Sequence, residues 1–120
     1  MNKKLSNKIK KKIRVIPDFP KKGILFQDIT SITDNKTLFR DVILEISKYV
    51  KKNKFTKIAA VEARGFIFGS AVSFKTKVPF VPIRKSGKLP GKFCGKNIRL
   101  SMVMTKFKFI VTQSLHEIGF

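Results

Sequence analysis

Glu62, Arg64, Arg84, Lys85 and Lys88 are the residues whose types and spacing could do chemistry. Arg64 follows the apolar run Ile58-Ala59-Ala60-Val61 and comes just before Gly65. A guanidinium beside the free N–H groups of a helix start suits an anion. Arg84-Lys85 leaves a second apolar run, Val78 to Ile83, as Arg64 leaves the first, and Lys88 follows in Ser86-Gly87-Lys88-Leu89-Pro90. If the two runs are parallel strands, both clusters project from one sheet edge. Cations crowded there repel unless an anion lies between them, and a pyrophosphate group would supply that anion. The residues alone leave a plainer reading open, in which Glu62 and Arg64 form a charged turn facing water and 84–90 is a solvated basic loop.

The elements that would position these groups can be read from pattern. Ile58 to Val61 predicts a short buried strand. Gly65, without a Cβ, permits a sharp turn, and Phe66 to Phe74, with Gly69, Ser70 and Ala71 interleaved, predicts a helix lying close on a sheet. Strand, charged turn and helix is the layout in which open α/β sheets bind ligands at strand carboxyl ends. Strand, helix and strand over this length imply a parallel βαβ unit. Pro79 and Pro82 fit the second strand only where no ladder donor is needed.

Upstream, Thr33 or Asp34 can cap a helix running to about Val50, with Leu38, Val42, Ile46 and Tyr49 on one face. Lys51, Lys52 and Lys54 at its end complement the helix dipole. Lys3 to Val15 carries Leu5, Ile9 and Ile13 near helical spacing, predicting a basic amphipathic helix. Its lysines mark either a solvated face or a membrane-surface face. Pro17 and Pro20 stop it, and Gly23 to Thr30 reads as a short strand or an ordered loop.

At 120 residues the chain is one domain with a modest core. No apolar stretch approaches the roughly 18 residues that a membrane helix needs, and the first residues lack the apolar core of a signal peptide. The lone cysteine, Cys94, has no partner for a disulfide or a metal site, which suits a reducing cytoplasm. Net charge is +20, from 27 Lys and Arg against 7 Asp and Glu. Such an excess binds nucleic acid non-specifically at low salt. Neither a zinc spacing nor an aromatic RNA-reading pattern nor a helix-turn-helix accompanies it. Abundant Lys, Phe, Ile and Asn also fit an AT-rich coding sequence.

Three blocks occur in one order: Phe19-Pro20-Lys21-Lys22-Gly23-Ile24-Leu25-Phe26-Gln27-Asp28-Ile29-Thr30, Glu62-Ala63-Arg64-Gly65-Phe66, and Arg84-Lys85-Ser86-Gly87-Lys88-Leu89-Pro90. Together they resemble the adenine phosphoribosyltransferase family, from about Ile13 to Pro90. The resemblance implies an α/β fold, part of the type I phosphoribosyltransferase fold with an incomplete parallel sheet flanked by helices. It implies transfer of a 5-phosphoribosyl group from 5-phosphoribosyl 1-diphosphate to adenine, giving AMP and diphosphate, in a purine-salvage homodimer using Mg2+. By resemblance Leu25, Phe26 and Gln27 hold the base, and Arg64, Arg84, Lys85 and Lys88 hold the diphosphate. The family commonly carries Arg where Gln27 stands. Two other classes remain: a degraded, non-catalytic basic protein that binds nucleic acid, and a phosphoribosyltransferase for another base.

The resemblance fades after about Gly91 and is gone after Ile98. The family's Glu-Tyr-Gly segment and its later acidic pair with a Gly-Thr-rich turn, which grips the ribose 5-phosphate, have no counterpart, so no catalytic group is expected intact. Ser101 to Ser114 can be written in permitted codons that, shifted once, read Tyr-Gly-Asn-Asp-Lys-Ile-Gln-Ile-His-Ser-Asp-Ser-Ile. That string resembles the family's own continuation and points to a frameshift between Gly91 and Ser101. The expected organisation is therefore 1–98 as the N-terminal part of the domain and 99–120 as an out-of-frame tail, with little turnover by this polypeptide. Met102, Val103, Phe107, Phe109, Ile110 and Val111 still predict a strand from β-propensity, and His116 and Glu117 are given no catalytic role.

Overall fold

The computed structural model describes residues 2–84 and 109–111. Helix α1 spans Lys3–Lys12, strand β1 Arg14–Ile16, strand β2 Phe26–Asp28 and helix α2 Thr30–Thr33. Helix α3 is Lys36–Lys52, strand β3 Lys57–Val61, helix α4 Arg64–Thr76, strand β4 Phe80–Ile83 and strand β5 Phe109–Val111. Two sheets result: an antiparallel pair β1-β2, and a parallel sheet in the order β4-β3-β5. The expected strand in the tail is met at Phe109, Ile110 and Val111, while Met102, Val103 and Phe107 lie outside the described residues.

The first helix is shorter than its apolar spacing predicts. Asn2 caps α1, its side chain accepting from Lys4 N at 3.0 Å, and the helix stops at Lys12. Arg14–Ile16 is extended instead, because it pairs with β2 in the register Arg14↔Asp28 and Ile16↔Phe26. The next helix also starts later than predicted. Thr30–Thr33 forms the short α2, so neither Thr33 nor Asp34 caps α3. Asn35 does, accepting from Leu38 N at 2.9 Å. The predicted face of α3 is inside: Leu38, Val42 and Ile46 are buried, with Ile43 and Val50, whereas Tyr49 is half exposed.

The core is a single cluster. Leu5 and Ile9 of α1, Ile32 of α2, the inner face of α3, Ile58 of β3, and Phe68 and Val72 of α4 pack together. Gly69 lets α4 come close to the sheet, since a Cβ there would stand 2.7 Å from the Phe80 ring and 2.8 Å from Ala60 Cβ. Gly65 is also buried, in the first turn of α4. Gly23 has φ +87° and closes the loop before β2, donating from its N to Asp18 Oδ1 at 2.7 Å. The peptides Phe19–Pro20 and Glu62–Ala63 are cis.

The two prolines are accommodated differently: Pro79 precedes the first residue of β4, and Pro82 lies inside the strand. The carbonyls of Pro79 and Ile83 accept from Ile58 N and Glu62 N, at 2.9 and 3.0 Å. Alternate residues of a strand face the same neighbour, so residues 79, 81 and 83 face β3 and Pro82 points its donor-less nitrogen away. Among the described residues no helix is long and apolar enough to cross a membrane.

Candidate active site

The parallel register sets the geometry. Val61 pairs with Ile83, so β3 and β4 end side by side and release Glu62 and Arg84 at the same sheet edge. Arg84 donates from Nε to Glu62 Oε2 at 3.1 Å. Glu62 is largely enclosed, with a side chain 9% exposed, and Arg84 is more open at 38%. A carboxylate tucked under a half-open guanidinium fixes that cation in place while leaving part of it able to meet an anion.

Arg64 is the first residue of α4 rather than the end of the preceding strand. Its guanidinium carbon stands 5.0 Å from the centre of the Phe26 ring, and Nη1 donates to the Gln27 carbonyl at 3.4 Å. Phe26 is held in turn by Phe19, ring centres 5.2 Å apart and edge to face. The turn expected to bind an anion thus touches the segment expected to bind a base, through a cation–π contact. Leu25 beside it is 69% exposed, and Ile24 and Phe19 are also open to solvent. These apolar groups offer a surface on which a flat heterocycle could stack.

Of the seven residues named from sequence, the structure brings Arg64, Phe26 and Gln27 together and leaves Leu25 exposed next to them. Arg84 stands at the same sheet edge, tied to Glu62. The simple reading in which Glu62 faces water does not hold. Lys85 and Lys88 lie outside the described residues.

Sequence reasoning missed Asp28, the hub that positions β2. Its Oδ1 accepts from Thr30 N at 3.0 Å and Thr30 Oγ1 at 2.7 Å, and its Oδ2 from Arg14 Nε and Nη2 at 3.1 and 2.6 Å. Its carbonyl accepts from Ser31 Oγ at 2.9 Å. The Thr30 hydroxyl, then the Thr30 amide and Arg14, hold its carboxyl at a pKa of about 2, below the ordinary 3.8. The local signal was present: an Asp two residues before a Thr at a helix start is an Asx-type turn.

No protein-family model matches the chain. The adenine phosphoribosyltransferase of Pelagibacter ubique is 50% identical over 84 residues, which is 70% of this chain and 48% of that protein. The crystal structure of adenine phosphoribosyltransferase from Thermoanaerobacter pseudethanolicus superposes with a TM-score of 0.69 at 48% identity, covering 72% of this chain and 52% of that one.

Over some 70% of its length the chain is similar, in sequence and in fold, to adenine phosphoribosyltransferases.

A third family member, from Saccharomyces cerevisiae, was solved with adenine and an imino-altritol bisphosphate. It gives a TM-score of 0.69 at 35% identity over 74% of this chain and 55% of its own. The chain spans about half the length of the adenine phosphoribosyltransferases it matches. The fold is accordingly a part of the type I phosphoribosyltransferase fold, as the three sequence blocks imply.

Proposed function

We propose that the chain carries the base side and the leaving-group side of a site that joins adenine to 5-phosphoribosyl 1-diphosphate, giving AMP and diphosphate. One observation carries this reading: Arg64, the first residue of α4, stands over Phe26 of the apolar segment 24–26. Leu25, Phe26 and Gln27 would hold the purine, with the ring of Phe26 as a stacking face. Arg64 and Arg84, joined by Lys85 and Lys88, would meet the diphosphate. In the reaction N9 of adenine bonds to C1 of the ribose as the C1–O bond to diphosphate breaks, and the N9 proton is released. Charge accumulates on the departing diphosphate through an oxocarbenium-like state, where fixed cations lower the barrier most.

Magnesium belongs to this reading only as an ion carried by the diphosphate substrate. Among the described residues no three metal-binding side chains come together. Glu62, the acid at the sheet edge, is bound to Arg84. The described side chains do not fit a protein-held magnesium, and no step is assigned to it. A homodimer belongs to the same reading, supported by the outward face of α4, where Phe74 is 90% and Ile67 44% exposed. A cytoplasmic setting goes with it, as does a tail at 99–120 read out of frame.

Calorimetric titration tests the binding half. Diphosphate should bind the 120-residue chain, and Arg64→Ala and Arg84→Ala should each weaken it by about tenfold, near 1.4 kcal/mol. Undiminished binding in both variants would overturn the site. Competition among adenine, hypoxanthine, xanthine and orotate identifies the base. Because the matched residues supply only part of the family's length, AMP formation by this polypeptide is expected to be far below that of a full-length relative. In-line positioning of the ribose can be worth roughly 7–11 kcal/mol of barrier.

A further inference from the structure

Helix α1 carries six lysines and no acid. Its apolar residues Leu5 and Ile9 are committed to the core, 7% and 5% exposed. What α1 presents outward is its lysines with the polar Ser6 and Asn7, which leaves no apolar face of the kind a membrane-surface helix needs. Lys4, Lys8, Lys11 and Lys12 recur at helical spacing, so they form one stripe.

That stripe borders a cleft of about 250 Å³ between α1 and α3. Lys4 and Lys8 line one wall and Lys48 the other, with Asp41, Leu44 and Glu45 also lining it. Lys51 and Lys52 continue the Lys48 side one turn further along α3. Asp41 is paired with Arg40 at 3.1 Å, and Glu45 accepts from the backbone N of Asn2 at 3.1 Å and keeps its charge, so the three lysines outnumber the acids of the cleft. Among the described residues no lysine stands in an ion pair; the salt bridges there are made by Arg14, Arg40 and Arg84. Lysines on two walls, without carboxylate partners, form a rail for a linear polyanion.

We infer that the α1–α3 cleft docks the phosphate backbone of double-stranded nucleic acid, through Lys4, Lys8 and Lys48, without reading bases. Ammonium groups neutralise phosphates and release counterions, which makes such binding steeply salt-dependent. The described surface of the cleft offers no aromatic platform for unstacked bases, which favours a duplex over a single strand. This inference does not depend on the reading of the strand-end site, since none of its residues is shared.

Fluorescence anisotropy with a random-sequence 24-base-pair DNA duplex tests it on the whole chain. Lys4, Lys8 and Lys48 are replaced together by Gln, and compared with a triple Gln variant at Lys21, Lys22 and Lys75, exposed lysines elsewhere that change the charge equally. The cleft variant should bind at least tenfold more weakly, and its log–log salt slope should flatten by about 0.9 for each phosphate that is no longer neutralised. The control variant should stay within about threefold of the parent. Equal losses in both variants, no binding by the parent at low salt, or equally tight binding to phosphatidylserine vesicles would each overturn the inference.

Discussion

Gly69 of α4 lies so close to Ala60 of β3 that a Cβ on the glycine would sit 2.8 Å from the alanine methyl. The alanine methyl is fixed to the strand backbone, so it cannot rotate away. Gly69→Ala should therefore push α4 off the sheet and cost about 1–3 kcal/mol. Urea denaturation measures the loss, and an unchanged midpoint would contradict the packing.

Asp28 makes the fold sensitive to acid. Its folded pKa, about 2, lies below the ordinary 3.8, so the ionised carboxylate favours the folded chain. Its contribution is complete above about pH 5 and fades as pH falls through 3.8 towards 2. Asp28→Asn should melt lower than the parent at pH 6, and the two melting curves should converge as pH approaches 2. A gap that widened on acidification would give the wrong sign.

Ser47 is buried in α3 at 4% exposure, and among the described residues its hydroxyl has no hydrogen-bond partner. An unmet buried hydroxyl is unfavourable, and alanine is the better helix former. Ser47→Ala should raise stability by about 1 kcal/mol, read from the thermal midpoint. A loss of that size would mean the hydroxyl is satisfied.

Phe74 contributes almost nothing to its own core, being 90% exposed. Phe74→Glu should leave the melting temperature of the dissociated chain unchanged. If a second copy covers this face, the variant should associate at least tenfold more weakly in sedimentation equilibrium, as the burial of one phenyl group of about 1.5–3 kcal/mol requires. Identical association would remove α4 from the interface.

The sequence shows plainly those parts of the fold whose cause is local. The face of α3 made by Leu38, Val42 and Ile46 follows from helical spacing, and Ile58, Ala59 and Ala60 are buried in the sheet as their apolar run implies. The break at Lys12 is not local. Ile13 and Ile16 keep helical spacing, and only the pairing of Arg14 with Asp28, fourteen residues away, makes that stretch a strand. Helix α2, four residues long, is too short to show a period. The candidate site divides in the same manner. Arg64 and Arg84 are identifiable because each follows a strand signal closely. The contact of Arg64 with Gln27 spans 37 residues, and nothing in the spacing of either block encodes it. Pairing of Glu62 with Arg84, 22 residues apart, depends on the register of two strands, which an apolar run alone does not specify.

Pro82 has one more effect. Its nitrogen faces outward from β4, an edge strand among the described residues, so a foreign extended segment annealing along that rim would find a missing rung in its ladder. A residue ill suited to a strand's interior thereby guards this rim, among the described residues, against runaway accretion.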